Sequence, residues 1–198
     1  MVGRREPDSP AEHPVSIQGL LLLQVDLEGH SDWLRRVPSQ PTAVECRIAL
    51  AERLTKTALD YSFLRVYWAG DGGMYSRHTR DIANSDIVVD LAKSIYQEFY
   101  KWRQSTPRAD GLGLRVSAHR AHTVHVTEDP SYWTSDDLNV FAKYERLIGI
   151  SGTIAVTDAL RKQLSEIHQR LPRGFEARSP NRLRSRCTDT VHILHRGK

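Results

Sequence analysis

Two aspartates carry the first chemical signal in the chain. Asp26 ends a nearly continuous apolar run, "GLLLLQVDLEG", and Asp71 sits inside "GDGG", a turn between "FLRVYWA" and "MYSRHT". Carboxylates at two strand ends are what a hard divalent cation carrying substrate phosphates requires, because such an ion takes oxygen donors and keeps positions open for water and phosphate. The loop "LEGHS", Leu27 to Ser31, follows the first aspartate and opens a helix. Its backbone N–H groups, with the positive end of the helix dipole, would cradle a triphosphate. Plainer roles stand beside this one. Asp71-Gly72 supplies the positive φ of a two-residue hairpin loop, and Asp26 with Ser31 or Asp32 caps and turns the chain. His119, His122 and His125 match no zinc spacing and their strand parity splits them between faces, so they read as surface or packing histidines.

The elements that must position these residues follow from periodicity. The first 16 residues, rich in Pro and charge, form a flexible N-terminal arm, and residues 17–198 form one folded domain. "GLLLLQVDLEG" reads as a central strand and "DWLRRV" as a short helix; Thr42 to Ser62 carries an amphipathic stripe of Val44, Ile48, Ala51, Leu54, Ala58 and Leu59. A hairpin around "GDGG" comes next, with Arg65, Tyr67 and Ala69 on one face and Val66 and Trp68 on the other by simple alternation. A second long helix spans roughly Asn84 to Gln104. "LRVSAHRAHTVHV" is a strand or a pair of strands, "DDLNVFAKYERLIGI" a helix, "TIAVT" a strand, "DALRKQLSEIH" a short helix and "TVHILH" a last strand. The order predicts an α/β sandwich, helices flanking one mixed or antiparallel sheet.

Composition narrows the classes. No apolar run approaches the roughly 20 residues of a membrane span, and the chain begins without a signal-peptide h-region, so a cytoplasmic location is expected. Cys46 and Cys187 lack a CxxC partner and suit the same compartment. A net charge of +4 admits nucleic acid and any other polyanion, a nucleoside triphosphate included. The run "RLPRGFEARSPNRLRSR", Arg170 to Arg186, lacks interleaved aromatics, which ranks nucleic-acid binding lower.

Four ordered motifs resemble those of the class III nucleotidyl cyclases. "VDLEGHS" is similar to their first metal-binding motif, "GDGGMY" to their Gly-Asp hairpin, "LRVSAH" to their Leu-Arg-Val-Gly-Ile-His strand with Ser117 and Ala118 substituted, and "LNVFAK" to the helix that begins Val-Asn and places Arg four residues after the Asn. The resemblance implies a ferredoxin-like core with Asp26, Asp71 and the Leu27 carbonyl holding two divalent ions, Mn2+ or Mg2+. It implies that Glu28, Gly29, His30 and Ser31 line the substrate phosphates, that Asn139 orients the ribose, and that Lys143 stabilises charge on the α-phosphate. Lys143 departs from the usual Arg and lacks its bidentate fork. The family's basic residue on the C-terminal hairpin would fall near Arg184 or Arg186. The Asn-bearing helix serves the partner subunit's metal site in this family, so a homodimer with composite sites is implied.

The family's two purine-selecting positions, usually polar, are Tyr67 and Tyr132 here. A tyrosine offers a stacking face and one hydroxyl, suited to a smaller ring; Arg65, on the same face by parity, would help frame the base. With the chain's stand-alone length, this is similar to the pyrimidine cyclases of bacterial Pycsar anti-phage systems. The resemblance implies conversion of UTP to 3′,5′-cyclic UMP and diphosphate, read by a separate cyclic-nucleotide effector protein. A cytidylate or adenylate cyclase, and a non-catalytic cyclase-like nucleotide-binding module, are the alternatives.

Overall fold

The computed structural model describes residues 15–81, 85–127, 133–135, 137–138, 141, 152–165, 175–178 and 191–195. Strand β1, Val15–Glu28, begins inside the stretch assigned to the arm. Helices α1, His30–Arg36, and α2, Gln40–Asp60, follow, then the hairpin of β2, Leu64–Ala69, and β3, Gly72–His78. Helix α3 spans Ile87–Ser105 and β4 spans Gly113–Val126, a single long strand. β5, Thr153–Thr157, the one-turn α4, Asp158–Arg161, β6, Phe175–Arg178, and β7, Val191–His195, complete the order.

The strands make one seven-stranded sheet in the order β2-β3-β1-β4-β5-β7-β6. β4 and β5 pair in parallel and every other neighbouring pair is antiparallel, which makes the sheet mixed, one of the two types, mixed or antiparallel, that the sequence predicts. β6 lies inside the arginine-rich run, where no strand was expected.

β1 explains why the sheet holds a core on each side. Successive side chains of a strand point to opposite faces. Leu21, Leu23, Val25 and Leu27 therefore pack with Trp33, Leu50, Leu54, Ile95 and Phe99 of the helices. Leu20 and Leu22 pack on the other face with Val66, Met74, Val124 and Phe141. Each fully buried leucine contributes about 1.5–3 kcal/mol, so an unbroken apolar run is stable only when both faces are covered. A parallel neighbour cannot be reached by a tight turn. The β4–β5 connection, residues 127–152, places Leu138 and Phe141 on the face opposite α2 and α3.

The α2 stripe is corrected by the structure. Ser39 caps the helix, its Oγ accepting the Thr42 N–H at 3.3 Å, and Pro41 falls in the first turn, where a missing N–H costs nothing. The face buried against the sheet is Ala43, Leu50, Ala51, Leu54 and Ala58, whereas Val44, Ile48 and Leu59 are exposed. In α3 the apolar stripe expected by period, Ile87, Val88, Leu91, Ile95, Phe99 and Trp102, is buried from Val88 onward, with Ile87 partly buried against the same core. No helix among the described residues is long and apolar enough to cross a membrane.

Candidate active site

Pairing in the sheet brings the two aspartates to one place. Asp26, near the end of β1, lies opposite Gly72 of β3 on one side and Arg115 of β4 on the other. Asp71 is the residue before Gly72, and its carbonyl accepts the Leu27 N–H at 3.0 Å. The hairpin tip is thereby stitched to the strand end that carries Asp26. The two-residue loop is Gly70–Asp71, and Gly70, at φ 60°, takes the left-handed conformation, not Gly72. Glycine at the first central position is the signature of a II′-type loop, so the turn chemistry is one residue displaced from the Asp-Gly expectation. Gly72 is needed for a different reason. A Cβ there would stand 2.8 Å from the Val25 carbonyl oxygen and 3.5 Å from Asp26 Oδ1.

The two carboxylates differ in surroundings. Asp26 is 6% exposed and its Oδ2 is ion-paired with Arg115, a residue the sequence marks only as part of "LRVSAH". The guanidinium supplies a counter-charge for a carboxylate whose desolvation would otherwise be costly. Asp71 is half-exposed, with His30 Nδ1 3.5 Å from its Oδ2. His30, the first residue of α1, is 8% exposed and stands against Trp33 with ring centroids 5.9 Å apart. Burial holds the His30 pKa below its ordinary 6.5; Asp71 and Asp26 pull it upward and Arg47 downward.

These donors suit a hard divalent ion. Asp26 and Asp71 lie at one sheet end beside main-chain oxygens, and the bare Cα of Gly72 keeps the space over Asp26 Oδ1 clear. Among the described residues no three His, Cys, Asp or Glu side chains form a ready-made ion site. An ion here would complete its shell from main-chain carbonyls, water and phosphate, the usual habit of Mg2+.

The adjoining loop has the expected backbone. Glu28 ends β1, Gly29 at φ 79° turns the chain, and α1 opens at His30, with Ser31 exposed beside it. The first-turn N–H groups of His30, Ser31 and Asp32 have no intrahelical acceptor. A cavity of ≈ 490 Å³ lined by Gly29, Asp32, Arg35, Arg36 and Gly111 lies alongside.

The hairpin face is a second correction. A β-bulge falls between Arg65 and Tyr67, so that Arg65 faces Tyr75 and Tyr67 faces Met74 across the ladder. Cross-strand partners share a face. Tyr75 belongs to the helix-side core and Met74 to the opposite one, so Arg65 and Tyr67 are on different faces, and Val66 shares the face of Tyr67 instead of that of Trp68. The extra residue of the bulge shifts the alternation by one, a signal no periodicity count contains. Tyr67 is 39% exposed. A groove of ≈ 660 Å³ between α2 and the β2 edge is lined by Val44, Arg47, Ile48, Arg65, Tyr67 and Gly70.

The three histidines take separate partners. His119 is buried, its Nδ1 2.8 Å from Thr157 Oγ1, its Nε2 3.7 Å from Asp137 Oδ1, and its ring stacked on Phe141. The His122 N–H donates to Asp137 Oδ2 at 2.7 Å, and His125 meets Ser16 Oγ at 2.9 Å. His119, first, and the His122 N–H lower the Asp137 pKa against its own burial. Asn139, Lys143, Tyr132, Arg184 and Arg186 lie outside the described residues.

No family model matches the sequence, and no curated protein matches it. Solved structures do. The catalytic core of a rhodopsin-guanylyl cyclase with converted specificity, in complex with ATPαS, superposes with a TM-score of 0.72 at 14% identity, covering 93% of this chain and 99% of that one. An adenylyl cyclase from P. aeruginosa gives 0.69 at 13% identity over 93% and 97% of the two chains. The guanylate cyclase domain from Catenaria anguillulae, in complex with GTP, gives 0.71 at 14% identity over 92% and 100%. The fold is that of class III cyclase catalytic domains.

Proposed function

We propose that this chain is a metal-dependent nucleotidyl cyclase with a preference for a pyrimidine substrate, converting UTP to 3′,5′-cyclic UMP and diphosphate. The observation that carries the reading is the convergence of Asp26 and Asp71 at one sheet end through the Asp26–Gly72 pairing and the Leu27 N–H to Asp71 carbonyl bond. A cyclase fold needs its two carboxylates there, and a chain that had lost the chemistry had no reason to keep both.

In this reading Asp26, Asp71 and the Leu27 carbonyl would hold Mn2+ or Mg2+. Bound ions would lower the pKa of the ribose 3′-hydroxyl and neutralise the triphosphate. The protein's own groups do the rest. Arg115, ion-paired with Asp26, supplies counter-charge at that strand end. The first-turn N–H groups after Gly29 seat phosphate oxygens. Asn139 orients the ribose, and Lys143, with Arg184 or Arg186, meets charge on the phosphates. The 3′-oxygen then bonds to the α-phosphorus, the bond to the β-phosphate oxygen breaks, the hydroxyl proton leaves to solvent and diphosphate departs. Asn139 and Lys143 would serve the partner subunit's metal site, so the active form is a homodimer. The cyclic product would act on a separate effector protein in defence against phage.

Tyr67 supports the pyrimidine preference. It is partly exposed, pairs with Met74 and lines the groove beside α2, at the position where the family carries a polar purine reader. Arg65 pairs with Tyr75 on the helix side and lines the same α2–β2 groove as Tyr67.

The test incubates the purified protein with ATP, GTP, CTP or UTP and either Mn2+ or Mg2+, and identifies products by mass spectrometry, with Asp71→Ala as control. Cyclic UMP as main product, absent from the control, is the expected outcome. Cyclic AMP or cyclic CMP in its place removes the uridylate assignment, and no diphosphate release from any substrate removes the cyclase.

A further inference from the structure

We propose that His30 is a positioning residue for Asp71, its Nδ1–H donating to the Asp71 carboxylate and holding that side chain in the orientation in which it receives a divalent ion. This rests on the reading of Asp71 as an ion ligand.

Asp71 needs such a partner. It sits on a two-residue loop with half of its side chain in water, and a carboxylate on a hairpin tip samples several rotamers unless something selects one. Among the described residues the one polar side chain recorded against it is His30, at 3.5 Å from Nδ1 to Oδ2. That distance is just beyond a good hydrogen bond and closes with a small rotation of the exposed carboxylate.

His30 is mounted rigidly. Its ring stands on Trp33, which is itself fully buried, donates Nε1–H to the Pro107 carbonyl at 3.1 Å and meets Trp102 edge-on at 6.2 Å. The imidazole is thus fixed to the hydrophobic core while Asp71 is fixed only through its backbone.

The second ring nitrogen identifies the tautomer. Nε2 is buried and has no hydrogen-bond partner among the described residues. A proton on Nε2 would leave a buried N–H donor unsatisfied, a costly and rare state. A proton on Nδ1 aims the donor at Asp71 and leaves only a lone pair without a partner. The same orphaned nitrogen argues against His30 as a direct ion ligand, because a ligating imidazole nearly always donates its other N–H to a carboxylate, carbonyl or water. Histidine here acts on the ion through Asp71.

The experiment measures Mn2+ binding to the full chain by electron paramagnetic resonance and calorimetry, without nucleotide and without turnover. His30→Phe keeps an aromatic ring on Trp33 and removes both nitrogens. His30→Gln retains an amide reaching the Nε2 position, and His30→Asn one at the Nδ1 position. Outer-shell partners of ion ligands are worth about 10–100-fold in affinity. His30→Phe and His30→Gln should therefore bind Mn2+ at least about 10-fold more weakly, and His30→Asn should restore most of the loss. Circular dichroism and thermal melting verify that each variant is folded. Wild-type affinity in folded His30→Phe or His30→Gln, or a loss in His30→Asn equal to that in His30→Phe, overturns the assignment to His30 alone. Absence of any wild-type Mn2+ binding that depends on Asp26 and Asp71 overturns the ion site itself, and the role of His30 with it.

Discussion

Asp26 and Arg115 show how much of a site is legible at the residue scale. A lone aspartate ending an apolar run is conspicuous in the sequence, and so is one framed by glycines. The arginine that neutralises Asp26 is not, because its place opposite Asp26 is set by a register between strands separated by three helices and a hairpin. Asp137 is a similar case, partly buried beside His119 for reasons no spacing reveals. Its depressed pKa makes a prediction with a definite sign. A carboxylate whose folded pKa lies below its ordinary value near 3.8 contributes stability that is fully present above that value and is lost as pH falls through the folded one. The melting temperature of wild type should therefore exceed that of Asp137→Asn at pH 6, and the gap should narrow below about pH 4. Thermal melts of the two proteins between pH 6 and pH 3 measure it; a gap independent of pH would remove the electrostatic account.

Elements were more legible than their faces. The strands and helices from β1 to β4, the α3 stripe and the hairpin follow from period and turn residues alone, whereas most of the helix expected over "DDLNVFAKYERLIGI" lies outside the described residues. The α2 stripe did not, since Val44 and Ile48 satisfy a helical period as well as Ala43 and Leu50 do, and only packing against the sheet selects between them. Faces in β2 failed because alternation assumes an unbroken ladder. The β1–β3 pair makes its own prediction at Gly72. Its backbone lies so close to Val25 that a methyl group would meet the carbonyl at 2.8 Å. Gly72→Ala should cost about 1–3 kcal/mol, the usual penalty of overpacking, and should weaken Mn2+ binding by separating the hairpin tip from Asp26. Chemical denaturation and Mn2+ titration read the two effects. An alanine variant as stable as wild type would mean that the ladder end relaxes freely.

For the whole molecule, a mixed sheet with a core on each face was foreseeable from one unbroken apolar strand, whereas β6 was not, because its four residues lie in a run whose arginines and prolines mimic loop. The composite site belongs to this scale too. If Asn139 serves the partner's Asp26 and Asp71, neither Asp71→Ala nor Asn139→Ala should be active alone, and mixing them should recover up to about a quarter of the wild-type rate, given random exchange of subunits and one repaired site per heterodimer. Mixed-mutant assays, with subunit exchange followed by fluorescence energy transfer, check this; exchange without recovery would place each site within one chain.

The bulge in β2 leaves one more consequence. Arg65 pairs with Tyr75 and Tyr67 with Met74, so the ladder is already continuous without Val66. Val66 is like a spare letter between two words. Removing it leaves every other β2 side chain on the side it now occupies, at the expense of one buried valine, whereas removing any residue from Tyr67 to Ala69 would invert part of the strand or shorten the tip that carries Asp71. Natural variation in the length of this hairpin should collect at that single point.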